Sequence, residues 1–143
     1  MRLTTVRLVS MLRKKGYRVT PQRRAILEVI TKNRSHLSIA AIHDRVVKKH
    51  KDIGLVTVYR LIEVLLKLGL VCKVNVKGGT DYILRRPQGH HHHLVCNECG
   101  KVVDFSNCDL GALEGELSAK SGFVISEHLL EFRGKCRLCS VGV

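Results

Sequence analysis

With 143 residues the chain has room for one large or two small domains, and its 25 Lys and Arg against 12 Asp and Glu give a net charge of +13. It has no apolar run of eighteen or more residues, which excludes a membrane-spanning helix, and no Trp, which counts against a basic amphipathic membrane anchor. The charge is one-sided: residues 1–77 hold 18 Lys and Arg against 4 Asp and Glu, while residues 78–143 hold 7 against 8.

So concentrated a positive field attracts polyanions and favours nucleic acid as partner. A solvated basic surface serving only solubility is the alternative. Met1-Arg2-Leu3-Thr4-Thr5 lacks the long apolar stretch of a secretory signal, so a cytoplasmic location is expected. Thr20-Pro21 pairs a capping residue with proline at the first helical position, and Ile26, Leu27 and Ile30 then recur on one face. Ser38 opens a second helix by the same capping logic, with Ile39, Ile42 and Val46 as its stripe. A third begins near Leu55 to Thr57, turns Val58, Leu61, Ile62, Leu65 and Leu68 inward, and stops at Gly69. Residues 70–76 and 80–84 read as two strands joined at Gly78-Gly79. Three helices and a β-hairpin make a winged helix-turn-helix. Thr57, Tyr59 and Arg60 lie near the third helix's N-terminus and off its apolar stripe, where a recognition helix reaches the major groove. Lys14, Lys15, Arg23 and Arg24 are candidate phosphate contacts, although such residues also serve as an ordinary exposed face.

The C-terminal half is bracketed by Cys96-Asn97-Glu98-Cys99 and Cys136-Arg137-Leu138-Cys139. Each knuckle presents two thiolates along one edge of a tetrahedron, so two complete a four-sulfur zinc site. Two disulfides are the competing reading, suited to an oxidising compartment. The 36 intervening residues suffice for a helix and a strand. Two domains of this size have thin cores, which makes zinc and dimerisation reasonable stabilisers. Cys72 and Cys108 stand outside the pairs and read as packing residues.

Several motifs together resemble the ferric uptake regulator family. They are Gly16-Tyr17-Arg18-Val19-Thr20-Pro21-Gln22-Arg23-Arg24, His36-Leu37-Ser38, Thr57-Val58-Tyr59-Arg60, residues 90–99 (HHHHLVCNEC) and Gly100-Lys101-Val102-Val103-Asp104-Phe105. The resemblance implies an α+β protein: a winged helix-turn-helix over residues 1–84, a hinge and histidine-rich segment over 85–94, and a small α/β dimerisation domain over 95–143. It implies a homodimeric, metal-responsive transcription regulator that binds double-stranded operator DNA. Tyr59 and Arg60 become DNA contacts, and Cys96, Cys99, Cys136 and Cys139 become ligands of a structural zinc.

His36 falls in the loop before the second helix, in the DNA-binding half. His91 and His93 alternate on an expected strand and share a face, leaving His90 and His92 on the other. A metal held by His36, His91 and His93 would join the halves, and its loss would free the hinge. Asp104 matches a family position that contributes a carboxylate. The family's further acidic ligand, after the aromatic residue of the wing, is here Ile83 after Tyr82; Asp81 substitutes only if the hairpin register differs. His90, His92 and His128 resemble a second site whose usual acidic member aligns with Gly111, and His128 alone reads as an ordinary strand histidine. Imidazole and carboxylate discriminate poorly among Fe²⁺, Zn²⁺ and Mn²⁺. Fe²⁺ is the common case the resemblance implies, with zinc-uptake and peroxide-stress regulators of the same family as alternatives. No catalytic residues or small organic substrate are expected, because no glutamate stands in a general-base motif beside the histidines. Outside the family, a zinc-dependent hydrolase and a constitutive, zinc-stabilised nucleic-acid-binding protein remain the other classes.

Overall fold

The computed structural model describes residues 3–85 and 91–142. The chain divides into two compact units, Met1–Gln88 and Gly89–Val143. The expected hinge at 85–94 falls in part on residues outside the described set, as does His90.

The first unit contains four helices and a three-stranded sheet: α1 (Thr5–Lys14), α2 (Pro21–Lys32), β1 (Leu37–Ser38), α3 (Ile39–Val47), α4 (Leu55–Lys67), β2 (Val71–Val76) and β3 (Gly79–Leu84). The capping logic operates as written in the sequence. Thr20 Oγ1 accepts from the Arg23 N–H at 3.2 Å ahead of Pro21, and Ser38 Oγ accepts from the Ala41 N–H at 3.1 Å. Such bonds satisfy N–H groups that have no partner within the helix. α1 is an addition to the expected three helices: Thr4 caps it, and Leu8, Val9 and Leu12 bury one face. These residues join Ile26, Leu27, Ile42, Val46, Val58, Leu61, Ile62 and Leu65 in a continuous core. α4 runs through its centre and ends before Gly69, whose φ of +64° suits a residue without a Cβ.

β2 and β3 pair in an unbroken antiparallel register from Val71 opposite Leu84 to Val76 opposite Gly79. The turn therefore consists of Lys77 and Gly78, not Gly78 and Gly79, with the positive φ falling on Gly78 at +86°. β1 is a second addition, joining the outer edge of the hairpin through Leu37 opposite Tyr82. Its two residues are too few to leave a periodic signature.

The second unit comprises β4 (His92–Cys96), β5 (Val102–Phe105), α5 (Gly111–Ser121), β6 (Glu131–Gly134) and the one-turn helix α6 (Arg137–Ser140). β4 is central, antiparallel to β5 and parallel to β6. One face of the sheet carries Leu94, Val103 and Phe132, all more than two-fifths exposed, and α5 buries no residue. Among the described residues, no helix is long and apolar enough to cross a membrane.

Leu61 is fully buried on α4. Its replacement by Ala is expected to lower stability by about 2–5 kcal/mol through lost transfer energy and the resulting cavity. Urea unfolding followed by far-ultraviolet circular dichroism measures the loss.

Candidate metal centres and DNA-binding face

The four paired cysteines converge. Cys96 closes β4, and its N–H and C=O bond Lys101 C=O and Gly100 N–H, folding the first knuckle. The Asn97 N–H reaches Gly134 C=O at 2.8 Å, tying the knuckle to the end of β6. Cys136 caps α6, which delivers Cys139 one turn later. All four sulfurs lie within 4.8 Å of one another. The Cys99 and Cys136 sulfurs are 3.7 Å apart, far beyond a disulfide bond. Four sulfurs at ~2.3 Å from a tetrahedral ion are separated by ~3.8 Å, so this set suits a structural zinc.

Their acidities favour a cation as well. Backbone N–H groups of Cys99 and then Cys136 lower the Cys96 thiol to about 6. The Cys139 backbone N–H lowers Cys136 in the same direction. Cys139, donating its own proton first to the Cys136 sulfur and then to Cys99, is pushed up to about 12. Each further thiolate forms against the charge already present unless a cation lies among the sulfurs.

Strand alternation divides the histidines. His93 Nδ1 lies 3.0 Å from Asp104 Oδ1 on the neighbouring β5, and the His91 ring meets the His93 ring edge-on at 5.1 Å. Both side chains of the His93–Asp104 pair are about seven-eighths buried. A 3.0 Å separation is also the edge between two ligands ~2.1 Å from an octahedral ion, so imidazole and carboxylate fit one divalent cation.

His92 points to the other face, 2% exposed, and stacks on His128 with ring centres 5.0 Å apart. Two residues that sequence reasoning left aside meet them. Cys108 Sγ lies 3.0 Å from His92 Nε2 and 3.4 Å from His128 Nε2. Glu114 Oε1 lies 2.6 Å from His128 Nδ1. Cys108 is therefore more than a packing residue, and His128 belongs to the irregular segment before β6, not to a strand. Neither Cys108 nor Glu114 has a spacing motif; only the fold brings them to the histidines.

In the first unit, His36 immediately precedes β1, whose pairing with β3 fixes the local chain path. Asp81 stands opposite Val74 and Ile83 opposite Cys72. Asp81 is thus two strand positions, roughly 7 Å, from position 83.

On α4, Tyr59 is 52% exposed, Arg60 is exposed and Thr57 is half-buried. Gly54 provides no side-chain cap, so the first-turn N–H groups of α4 are capped by no side chain. Tyr82 lies beneath, its phenol raised above the ordinary value by burial and then by Tyr59 and Glu63, which keeps it a neutral donor. Lys14, Lys15 and Arg24 are exposed. Arg24 spends little on its exposed pair with Glu28 at 3.7 Å. Arg23 is committed in part, donating to the Arg18 carbonyl at 2.6 Å.

Residues 14–133 match the model of the ferric uptake regulator family. The chain belongs to the ferric uptake regulator family. It is a metal-responsive transcription regulator of that family. It is 38% identical over 126 residues to the ferric uptake regulation protein of Shigella flexneri, covering 87% of this chain and 85% of that one. Against the Bacillus subtilis (strain 168) protein of the same name it is 37% identical over 138 residues, covering 94% and 93%. The crystal structure of the Vibrio cholerae ferric uptake regulator superposes with a TM-score of 0.73 at 32% identity, covering 90% of this chain and 99% of that one.

Cys96→Ser or Cys139→Ser is expected to remove one zinc per monomer and unfold the second unit, since binding and folding free energy are shared. Metal analysis and circular dichroism check this. Because protons compete for every thiolate, zinc affinity should fall as pH falls, which a chromogenic zinc indicator follows directly.

Proposed function

We propose that this regulator represses metal-uptake or metal-homeostasis genes as a metal-loaded homodimer, with Fe²⁺ as the sensed ion. The observation that carries the reading is the His93–Asp104 pair, with His91 beside it: imidazole and carboxylate in one place, chemically distinct from the four sulfurs. His36 is a further proposed ligand, carried over from the family resemblance. Asp81, two strand positions before Ile83, is the carboxylate that would stand in for the missing acidic ligand. These residues bind and orient the ion; when bound, it supplies a charge that favours the DNA-competent state through its higher affinity for that state.

The DNA reading rests on the basic first unit and the exposed start of α4. Thr57, Tyr59 and Arg60 are proposed to face the groove, with Lys14, Lys15, Arg23 and Arg24 on the phosphates. The N-terminus of α4 presents its dipole's positive end, which suits a phosphate oxygen. The Vibrio cholerae relative is described as having DNA-binding domains that rearrange. Dimerisation is supported by Leu94, Val103 and Phe132, an apolar sheet face larger than scattered exposed residues would make.

Zinc is the second reading, favoured by Ile83, which supplies no carboxylate where a harder ion would use one. One experiment separates the two ions. Operator affinity is measured anaerobically after mild chelation and again after adding Fe²⁺, Zn²⁺ or Mn²⁺. Recovery with Fe²⁺ alone supports the first reading, recovery with Zn²⁺ alone the second, and binding indifferent to every labile ion defeats both.

His91→Ala or His93→Ala is expected to leave a folded protein that retains its structural zinc but loses metal-activated operator binding, as gel-shift titration would show. Operator affinity should also drop by about 0.9 log unit per log unit of salt for each phosphate neutralised, measured by fluorescence anisotropy across a salt series.

A further inference from the structure

The seven residues between α3 and α4, Lys48-Lys49-His50-Lys51-Asp52-Ile53-Gly54, carry three lysines against one acidic residue. Lys48, Lys49, His50 and Lys51 are all exposed. Lysines on a loose loop lose much of their attraction for a partner to the cost of being ordered. This turn is already held.

Ile53 sinks its side chain into the helical core, 2% exposed. Its carbonyl accepts the Nε2–H of His43, on α3, at 2.9 Å, and because a carbonyl can only accept, that contact fixes the imidazole with its proton on Nε2. Gln22 Nε2, on α2, donates to Asp52 Oδ2 at 3.2 Å, so the one carboxylate of the turn is engaged by a neighbouring helix. Between these anchors the backbone closes on itself. The Lys49 and His50 N–H groups reach the Val46 carbonyl at 3.1 and 3.0 Å, and the Ile53 N–H reaches the His50 carbonyl at 3.2 Å.

The position of the turn decides what so fixed a positive run meets. With the start of α4 against base edges in a major groove ~12 Å wide, a sugar–phosphate strand stands on either side. Lys51 lies four residues before Leu55, the first residue of α4, and four residues of chain span at most about 14 Å. Insertion of the helix therefore carries the run to a wall of the groove. We propose that the α3–α4 turn is a phosphate-contacting element of the DNA-binding face, with Lys48, Lys49 and Lys51 as its contacts and His43 as the residue that positions it. This role rests on the reading of α4 as the recognition helix, and the turn is a surface separate in sequence from Lys14, Lys15, Arg23 and Arg24.

The full-length protein, with its structural zinc retained, is supplied anaerobically with Fe²⁺, or with Zn²⁺ where Fe²⁺ does not restore DNA binding. Fluorescence anisotropy then measures its affinity across a salt series for two duplexes, one of mixed sequence and one that the wild type selects from a randomised pool. Combining Lys48→Gln, Lys49→Gln and Lys51→Gln should flatten the plot of log affinity against log salt by about 0.9 for each lysine in contact. Both duplexes should weaken by the same factor, because a phosphate contact carries no sequence information. A control with equal charge loss at exposed positions elsewhere, Lys67→Gln, Lys101→Gln and Lys120→Gln, should keep the wild-type slope. His43→Ala should flatten the slope as the lysine variant does, and His43→Gln, whose amide N–H can donate to the same carbonyl, should restore it. An unchanged slope in the lysine variant, or an equal loss in the control, would overturn the proposal and leave the run a solvated basic face. An unchanged slope in His43→Ala would remove the positioning role from His43. Wild-type protein that binds neither duplex would instead bring down the recognition-helix reading on which the turn's role stands.

Discussion

Four sulfurs within 4.8 Å cannot all carry charge without a cation among them, and the second unit depends on that constraint. Among its described residues only His92, Val95 and Cys96 are buried. That is too little apolar surface to offset the ordering of about fifty residues. The cluster supplies what the core lacks, binding the end of β4 to the segment after β6 and to α6. The first unit has the opposite character: its apolar core runs through all four helices. A single chain thus joins a unit with a continuous apolar core to one with few buried residues.

β4 distributes the chemistry of the second unit. Its alternation sends His93 toward Asp104 on one face and His92 toward Cys108 and His128 on the other, and its last residue is a member of the four-sulfur cluster. Three donor environments therefore lie within five residues of one strand: imidazole with carboxylate, imidazole with thiolate, and thiolate alone. Softness increases in that order, so the character of the donors is set by which way a side chain leaves the backbone.

Much of this was legible because the signals were local. The Cys-x-x-Cys pairs announce their geometry by spacing, Thr20-Pro21 and Ser38 announce helix starts, and Val58, Leu61, Ile62 and Leu65 announce the buried face of α4. α1 carries signals just as local, with Thr4 as cap and Leu8, Val9 and Leu12 as stripe. The remainder was not local. β1 is two residues long and exists only because β3 offers an edge. The turn moved by one residue because register is decided by pairing across the hairpin, and Gly-Gly alone did not say which glycine would bear the positive φ. Cys108 and Glu114 lie 20 and 14 residues before His128 and meet it only when the unit is folded.

The parallel pairing of β4 with β6 also imposes an order of events on the growing polypeptide. His93 pairs with Glu131 and Cys96 with Gly134, across a connection that includes β5 and α5. Such distant contacts are slow to form because the intervening loop must close before any of them is rewarded. No metal can complete the four-sulfur cluster until Cys139 has left the ribosome. The helical unit, with its contacts among neighbouring elements, can collapse while the rest is still being made. The basic unit is thus complete while the residues of the four-sulfur cluster are still being added.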